Sequence, residues 1–195
     1  MTVAILGQGN MGKGLASRLA GTKVVLGARE PKAGELSYAE AVAKADIVVL
    51  ALPYDAALEA AKSLDLAGKV VVDMTNPITA DYSGLRMGHT TSAAEEIQAA
   101  APKAHVVKGF NTIFAGLFAA PANETANVPV FVAGNDEASV QKVAELAKAA
   151  GFASENAGKL DAARLIEPVG MLNIRFAYGL GRGAGIAPAW VKVAA

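Results

Sequence analysis

The chain has 195 residues, 53% hydrophobic and 18% charged, which suits one packed globular core and argues against disorder. Its 18 basic residues balance 18 acidic ones, so no positive excess is available to neutralise a nucleic-acid backbone. There are no cysteines and only two histidines, His89 and His105, which excludes disulfides and thiolate chemistry and argues against a metal site.

Residues 2–6 are a short apolar run ending at a glycine, which predicts a buried strand. A helix over 11–20 and a strand over 23–27 follow, then a polar stretch with Pro31 and Gly34. The pattern next predicts a short helix over 38–45, a strand over 46–51, a helix over 55–63 and a strand over 69–73. A long loop carries Asn76 and Pro77. Helix 92–100 opens with Ser92 and Glu95 at capping-box spacing. Strands are expected over 105–108 and, past Pro121, over 128–133. In helix 136–150, Val140, Val143, Ala147 and Ala150 share one face while Glu137, Gln141, Glu145 and Lys148 face water. A short extended piece near Phe152 precedes a terminal helix from about Leu160.

Strands alternating with helices imply an α/β, Rossmann-like, doubly wound and mainly parallel sheet, covered on both faces. We read residues 1–158 as the dinucleotide-binding domain and 159–195 as a helical appendage of the same compact unit. No apolar run approaches the roughly 18 residues of a membrane span, and no signal-peptide pattern opens the chain. No membrane contact is expected, and the cytoplasm is the expected location.

Gly7, Gln8, Gly9, Asn10, Met11 and Gly12 match the G-x-G-x-x-G pattern. The match follows a strand directly and opens a helix, the context its mechanism requires. Gly7 permits the tight turn, Gly9 lets a pyrophosphate approach the backbone, and Gly12 lets helix pack on strand. The free amides of the helix N-terminus then face the anion. Sites for NAD place an acid at the end of the second strand; here Ala28 stands there and Arg29 follows. A guanidinium suits the 2′-phosphate of NADP(H), with Lys32 in support. The alternative is a solvated Arg29, with Glu30 doing the acid's work.

Three more loops leave strand ends, where such sheets bind ligands. They carry Leu52, Pro53 and Tyr54; then Asn76 and Pro77; then Asn111, Thr112, Ile113 and Phe114. Asn76 and Asn111 either offer amides to a ligand or shape their own turns. No acid–base constellation, neither Ser-His-Asp nor paired carboxylates, emerges from the spacing. Transfer of hydride between two bound cofactors needs alignment more than side-chain acids, so no catalytic side chain is assigned.

Several stretches together suggest a family: GQGNMG at 7–12, GAR at 27–29, VVVDMTNP at 70–77 and SAAE at 92–95. VVKGFNT at 106–112, VAG at 132–134 and AGKLDAAR at 157–164, with Glu167 just beyond, complete the set. In these the chain resembles the NADPH-dependent reductases of the deazaflavin coenzyme F420, and the related oxidoreductase domain of the STEAP metalloreductases. The resemblance implies that residues 7–12 and Arg29 hold NADP(H), and that Leu52, Pro53, Asn76 and Pro77 line its nicotinamide half. It implies that residues 111–114 border a second, flavin-like ring, so that coenzyme F420 or a flavin is the small-molecule redox acceptor. The family has a full helix and a further strand between Arg29 and Ile47; the shorter segment here predicts a more open adenosine side.

Two other functions fit parts of the sequence. One is an imino-acid reductase like pyrroline-5-carboxylate reductase, which has a longer helical C-terminus. The other is a non-enzymatic NADP-sensing module. Finally, Leu165, Val169, Leu172 and Phe176 form an apolar stripe at helical spacing, interrupted by Pro168. The stripe either builds a homodimer or packs on the chain's own sheet.

Overall fold

Eight strands form one sheet in the order β3-β2-β1-β4-β5-β6-β7-β8. They are β1 (Thr2–Leu6), β2 (Lys23–Ala28), β3 (Leu36–Ser37), β4 (Ile47–Leu50), β5 (Val70–Asp73), β6 (His105–Lys108), β7 (Pro129–Gly134) and β8 (Ala153–Gly158). Every neighbouring pair is parallel except β6 and β7, which run antiparallel. This computed structural model describes residues 1–191 and 193. No helix among them is long and apolar enough to cross a membrane.

The helices are α1 (Asn10–Arg18), α2 (Tyr38–Ala43), α3 (Tyr54–Ser63), α4 (Ala93–Ala100), α5 (Ala122–Thr125), α6 (Glu137–Ala149) and α7 (Ala163–Ile174). Alternation along the strands builds two cores. Val3, Ile5, Val49 and Val72 pack with Leu15 of α1 and Val143 and Leu146 of α6. Ala4, Leu6, Val48 and Leu50 turn the other way, onto Ala41 of α2, Ala57 and Ala61 of α3 and Ile97 of α4. Both faces are covered, so the central strands read as continuous apolar runs. The chain leaves β1 for β2 on one side and later returns to β4 on the other. That reversal opens a crevice at the carboxyl ends of β1 and β4.

Two strands exceed what the sequence predicts. β3 is two residues long, pairs with Gly27 and Ala28, and carries no period to read. It leads into α2 through a full capping box between Ser37 and Glu40. β8 spans six residues of the sequence ASENAG, whereas only a short extended piece near Phe152 is expected; five of the six are exposed, as befits a polar edge strand.

α7 is continuous through Pro168. Its inward face is Ala163, Ile166, Glu167, Gly170 and Asn173, small or polar throughout except for Ile166. The apolar stripe points outward: Leu165 is 72% exposed and Leu172 49%. The other two stripe residues, Val169 and Phe176, are half-buried, and Val169 shares a groove with Phe131 of β7 and Ala157 of β8, so the stripe lies only partly on the chain's own sheet.

A buried cation attaches α7 to the sheet. Lys108 ends β6 beside Asp73, its register partner at the end of β5, and both are fully buried. The Lys108 ammonium donates to Asp73 Oδ2 at 2.8 Å, to the Thr75 carbonyl at 2.6 Å and to Glu167 Oε1 of α7 at 2.8 Å. An ammonium has three protons, and all three are used. The Glu167 carboxylate also accepts from the Ala93 and Ala94 amides at the start of α4, where the helix dipole favours negative charge. Burial pushes the Glu167 carboxyl above its ordinary range; the Lys108 charge opposes this and Asp73 adds to it.

Replacing Lys108 with methionine keeps the apolar stem and strands two buried carboxylates. Removing one partner of such a group typically costs about 3–5 kcal/mol. We expect the urea midpoint of Lys108→Met to fall accordingly; a loss under about 1 kcal/mol, the level of an exposed pair, would contradict the role given to the triad.

Candidate nucleotide site

The crevice begins at the glycine loop. Gly7 has φ of 105°, and a Cβ there would lie 2.2 Å from the Ala51 carbonyl oxygen. A Cβ on Gly12 would lie 1.9 Å from the Gly7 oxygen. Both are glycines because backbone approaches backbone. Gly9 is different. It precedes α1 at an ordinary φ of −75°, and a Cβ on it would meet nothing within 4 Å. The chain itself leaves that volume open, so a group approaching the backbone there would meet no side chain. The first turn of α1 has neither a side-chain cap nor an acidic residue. Its amides remain free for an anion. Gln8 is half-buried, Asn10 is exposed, and Met11 packs against the core.

Ala28 closes β2, and Arg29 and Glu30 stand exposed beyond it. Among the described residues Arg29 enters no ion pair. Its charge is felt at Tyr38, whose phenol is pushed above its ordinary pKa by burial, an effect that Arg29 partly offsets. Lys32 is exposed, with its backbone amide donating to Glu35.

Two asparagines join the loops after β5 and β6. Asn76 Nδ2 donates to the Asn111 carbonyl at 2.8 Å, and Asn111 Nδ2 donates to Asn76 Oδ1 at 2.9 Å and to the Ile166 carbonyl at 3.2 Å. Both protons of the Asn111 amide are thus engaged, whereas Asn76, half-buried, keeps one. Phe110, fully buried, holds the turn at a left-handed φ of 64°, an uncommon conformation for a bulky residue. Thr75 Oγ1, Asn111 Oδ1 and Thr112 Oγ1 are buried without partners, all three in these two loops. Such orphans are rare in folded chains.

The side-chain directions correct several expectations. Tyr54 is buried and donates its hydroxyl to Glu96 of α4, beneath the guanidinium of Arg86 at 5.1 Å, so it faces the α3–α4 seam rather than the crevice. Burial and the Glu96 carboxylate push its pKa up. Ile113 is 3% exposed within the core and cannot wall a ligand, and Thr112 is buried as well. Asn111, 6% exposed, has no free donor for a ring carbonyl. Of the four residues expected at the acceptor, only Phe114 is not buried; it meets Tyr178 edge to face at 5.6 Å. Leu52 is half-buried and Pro53 exposed at the start of α3, and Pro77 is buried.

Paired carboxylates do exist, in the Asp73–Lys108–Glu167 triad, although spacing did not reveal them. They are sealed from solvent and so act through their neighbours. Their one signal in the sequence is a charge at the end of each of two otherwise apolar strands, VVVD and HVVK.

Beside the crevice, α7 and residues 82–89 enclose two open cavities that share Met171. The larger, about 900 Å³, is lined by Leu85, Arg86, His89, Arg164 and Pro168. Both arginines are already paired, Arg86 with Asp55 and Arg164 with Glu95. The smaller, about 550 Å³, is lined by Tyr82, Ile174, Arg175 and Tyr178.

Comparison with known proteins agrees with this arrangement. A family model for coenzyme F420-dependent NADP oxidoreductases matches residues 2–77. Metalloreductase STEAP3 of Rattus norvegicus is 32% identical over 179 residues, 86% of this chain; the chain spans only 36% of that relative. The F420-dependent NADP reductase of Methanocaldococcus jannaschii is 29% identical over 199 residues, covering 87% of this chain and 89% of the relative. A crystal structure from Arthrobacter sp. FB24, assigned as an F420-dependent NADP-reductase, is 33% identical with a TM-score of 0.84, covering 98% of this chain and 100% of that one. A Plasmodium falciparum pyrroline carboxylate reductase with NADP bound, 14% identical at a TM-score of 0.61, shows the fold alone.

The geometry at Gly9 separates binding from folding. Gly9→Val should fold with little loss, since its side chain enters open space, and should abolish NADPH binding. Arg29→Ala should keep NADH affinity and lose roughly tenfold or more in NADPH affinity, as for a hydrogen bond to a charged group. Calorimetry that finds NADPH binding intact in Gly9→Val would show that the pyrophosphate does not lie over this loop.

Proposed function

Because the chain belongs to the family of coenzyme F420-dependent NADP oxidoreductases, and is accordingly an NADP-dependent oxidoreductase, we propose that its acceptor is a flat heteroaromatic ring, a deazaflavin such as coenzyme F420 or a flavin. In this reading residues 7–12 hold the pyrophosphate through backbone amides. Ala28, Arg29 and Lys32 take the 2′-phosphate. Leu52, Pro53, Asn76 and Pro77 border the nicotinamide, with the spare Asn76 proton available to its carboxamide. When bound, NADPH supplies the hydride, and the acceptor ring takes it up together with a proton. The chain's own task is alignment of two planar groups at about 3–3.5 Å.

The observation that carries this reading is the sealing of the ionisable groups below the loops. Asp73, Lys108 and Glu167 are 0–1% exposed and saturated by one another. A small carbonyl substrate calls for a positioned proton donor, and these three cannot reach one. Ring-to-ring transfer makes no such demand, since the cofactors carry the chemistry. Phe114, Tyr178 and Met171 offer the apolar and aromatic surface that a ring would stack on.

The test is stopped-flow absorbance with NADPH and a panel of deazaflavin, FMN, FAD and small carbonyls. We expect turnover with at least one ring acceptor. Turnover of a carbonyl with none of the rings would refute the proposal.

We further propose that the chain works as a cytoplasmic homodimer, with a second copy on the outward stripe of α7. In support, Leu165 and Leu172 are exposed on this face, the half-buried Val169 and Phe176 line a groove with Ile186 and Pro188 of the segment after α7, and the exposed Trp190 extends the surface against Phe131. Light scattering should give about twice the chain mass of 19.8 kDa, and Leu172→Glu should halve it. A monomer in the unaltered protein would rule the dimer out.

A further inference from the structure

Helix α7 lies directly on the asparagine pair, and the contact is Gly170. This residue is buried in the middle of the helix. A Cβ on it would stand 2.7 Å from Asn76 Oδ1 and 3.0 Å from Asn111 Nδ2. The helix has no use of its own for glycine at this position. Glycine is the poorest helix former after proline, and alanine the best. The missing side chain therefore serves the neighbours.

The helix cannot retreat to make room. Three residues before Gly170, Glu167 is tied to Lys108 at 2.8 Å. Three residues after it, Asn173 Nδ2 donates to the Thr112 carbonyl at 3.2 Å. The Ile166 carbonyl itself accepts from Asn111 Nδ2. A methyl group at position 170 must therefore displace the asparagine side chains rather than the helix. The nearer atom is Asn76 Oδ1, the acceptor that fixes which way the Asn76 amide points.

We propose that Gly170 is a positioning residue for hydride transfer: by withholding a side chain it lets α7 close on the Asn76–Asn111 pair and so fixes the direction of the free Asn76 amide proton toward the crevice. This rests on the reading above, in which that amide meets the nicotinamide end of NADPH. Gly170 touches neither substrate and acts only through Asn76.

The experiment compares the unaltered chain, Gly170→Ala, Asn76→Ala and the double variant. In the ligand-free protein, the side-chain amide resonances of Asn76 and Asn111 should shift in Gly170→Ala while the chain stays folded by circular dichroism. With NADPH and an acceptor that the unaltered chain reduces, the single-turnover hydride rate of Gly170→Ala should fall roughly tenfold or more, as for a misplaced reacting group. NADPH affinity should change less. The double variant should be little slower than Asn76→Ala alone, because the nearest atoms the methyl would displace are gone and only the Asn111 amide, at 3.0 Å, must still give way; that variant also guards against simple misfolding of Gly170→Ala. Unmoved amide resonances, or losses that multiply in the double variant, would overturn the proposal. If the unaltered chain passes hydride to no acceptor, the functional reading fails instead, and the amide resonances decide the role of Gly170 by themselves.

Discussion

The structure turns on one buried positive charge. Lys108 has no exposed surface, and its three ammonium protons reach three separate elements: a carboxylate on the neighbouring strand, a carbonyl in the loop after that strand, and a carboxylate on α7. Buried ion pairs are poor sources of net stability, since desolvation offsets most of the attraction. What they supply here is direction. Three apolar residues of similar volume could fill the same space, yet α7 could then rotate or slide on the sheet. With Lys108 in place, Glu167 has one position, the start of α4 gains its carboxylate cap, and the Thr75 carbonyl is held immediately before Asn76. The loop that borders the crevice is thus fastened from below.

Much of this was legible in the sequence, and the boundary of legibility is physical. The glycine loop could be read because its spacing is local to one strand–turn–helix unit: Gly12 is forced by the Gly7 carbonyl within it, and Gly7, which faces Ala51 at the end of β4, also carries the left-handed φ of the turn. The central strands could be read because burial on both faces writes unbroken apolar runs. β3 and β8 could not. The first has two residues, and the second is a polar edge whose partner, not its own composition, makes it a strand. At the crevice, loop positions were legible but side-chain directions were not. Tyr54 and Ile113 stand in the expected loops and turn away from the crevice, because a helix start and a core vacancy claim them. The triad was hidden for another reason. Its members stand 35 and 59 residues apart in sequence, and no periodicity links a strand end to a helix that far downstream.

The two halves of the crevice use different materials. On the side of the glycine loop the crevice is backbone: open volume over Gly9 and the uncapped first turn of α1. Backbone amides need no side-chain ordering, so this half is ready before a ligand arrives. The other side, at the loops after β5 and β6, is built from side chains that hold one another, Asn76 on Asn111 and Asn111 on the Ile166 carbonyl of α7. Its precision depends on elements remote in sequence. The unpartnered oxygens of Thr75, Asn111 and Thr112 fall in this second half, where polar groups have been ordered for something other than stability.

α7 joins these features because its two faces do different work. The inward face carries Glu167, Gly170 and Asn173 at intervals of three; Glu167 meets the end of β6, and the other two meet the loops after β5 and β6. The outward face carries the exposed leucines. A rigid helix transmits a small displacement from one face to the other, and packed interiors have little slack to absorb it. A second copy seated on the stripe would therefore press on the same helix that sets Asn76. Association would then bear on the element that Glu167 and Asn173 hold against the sheet and the loop after β6.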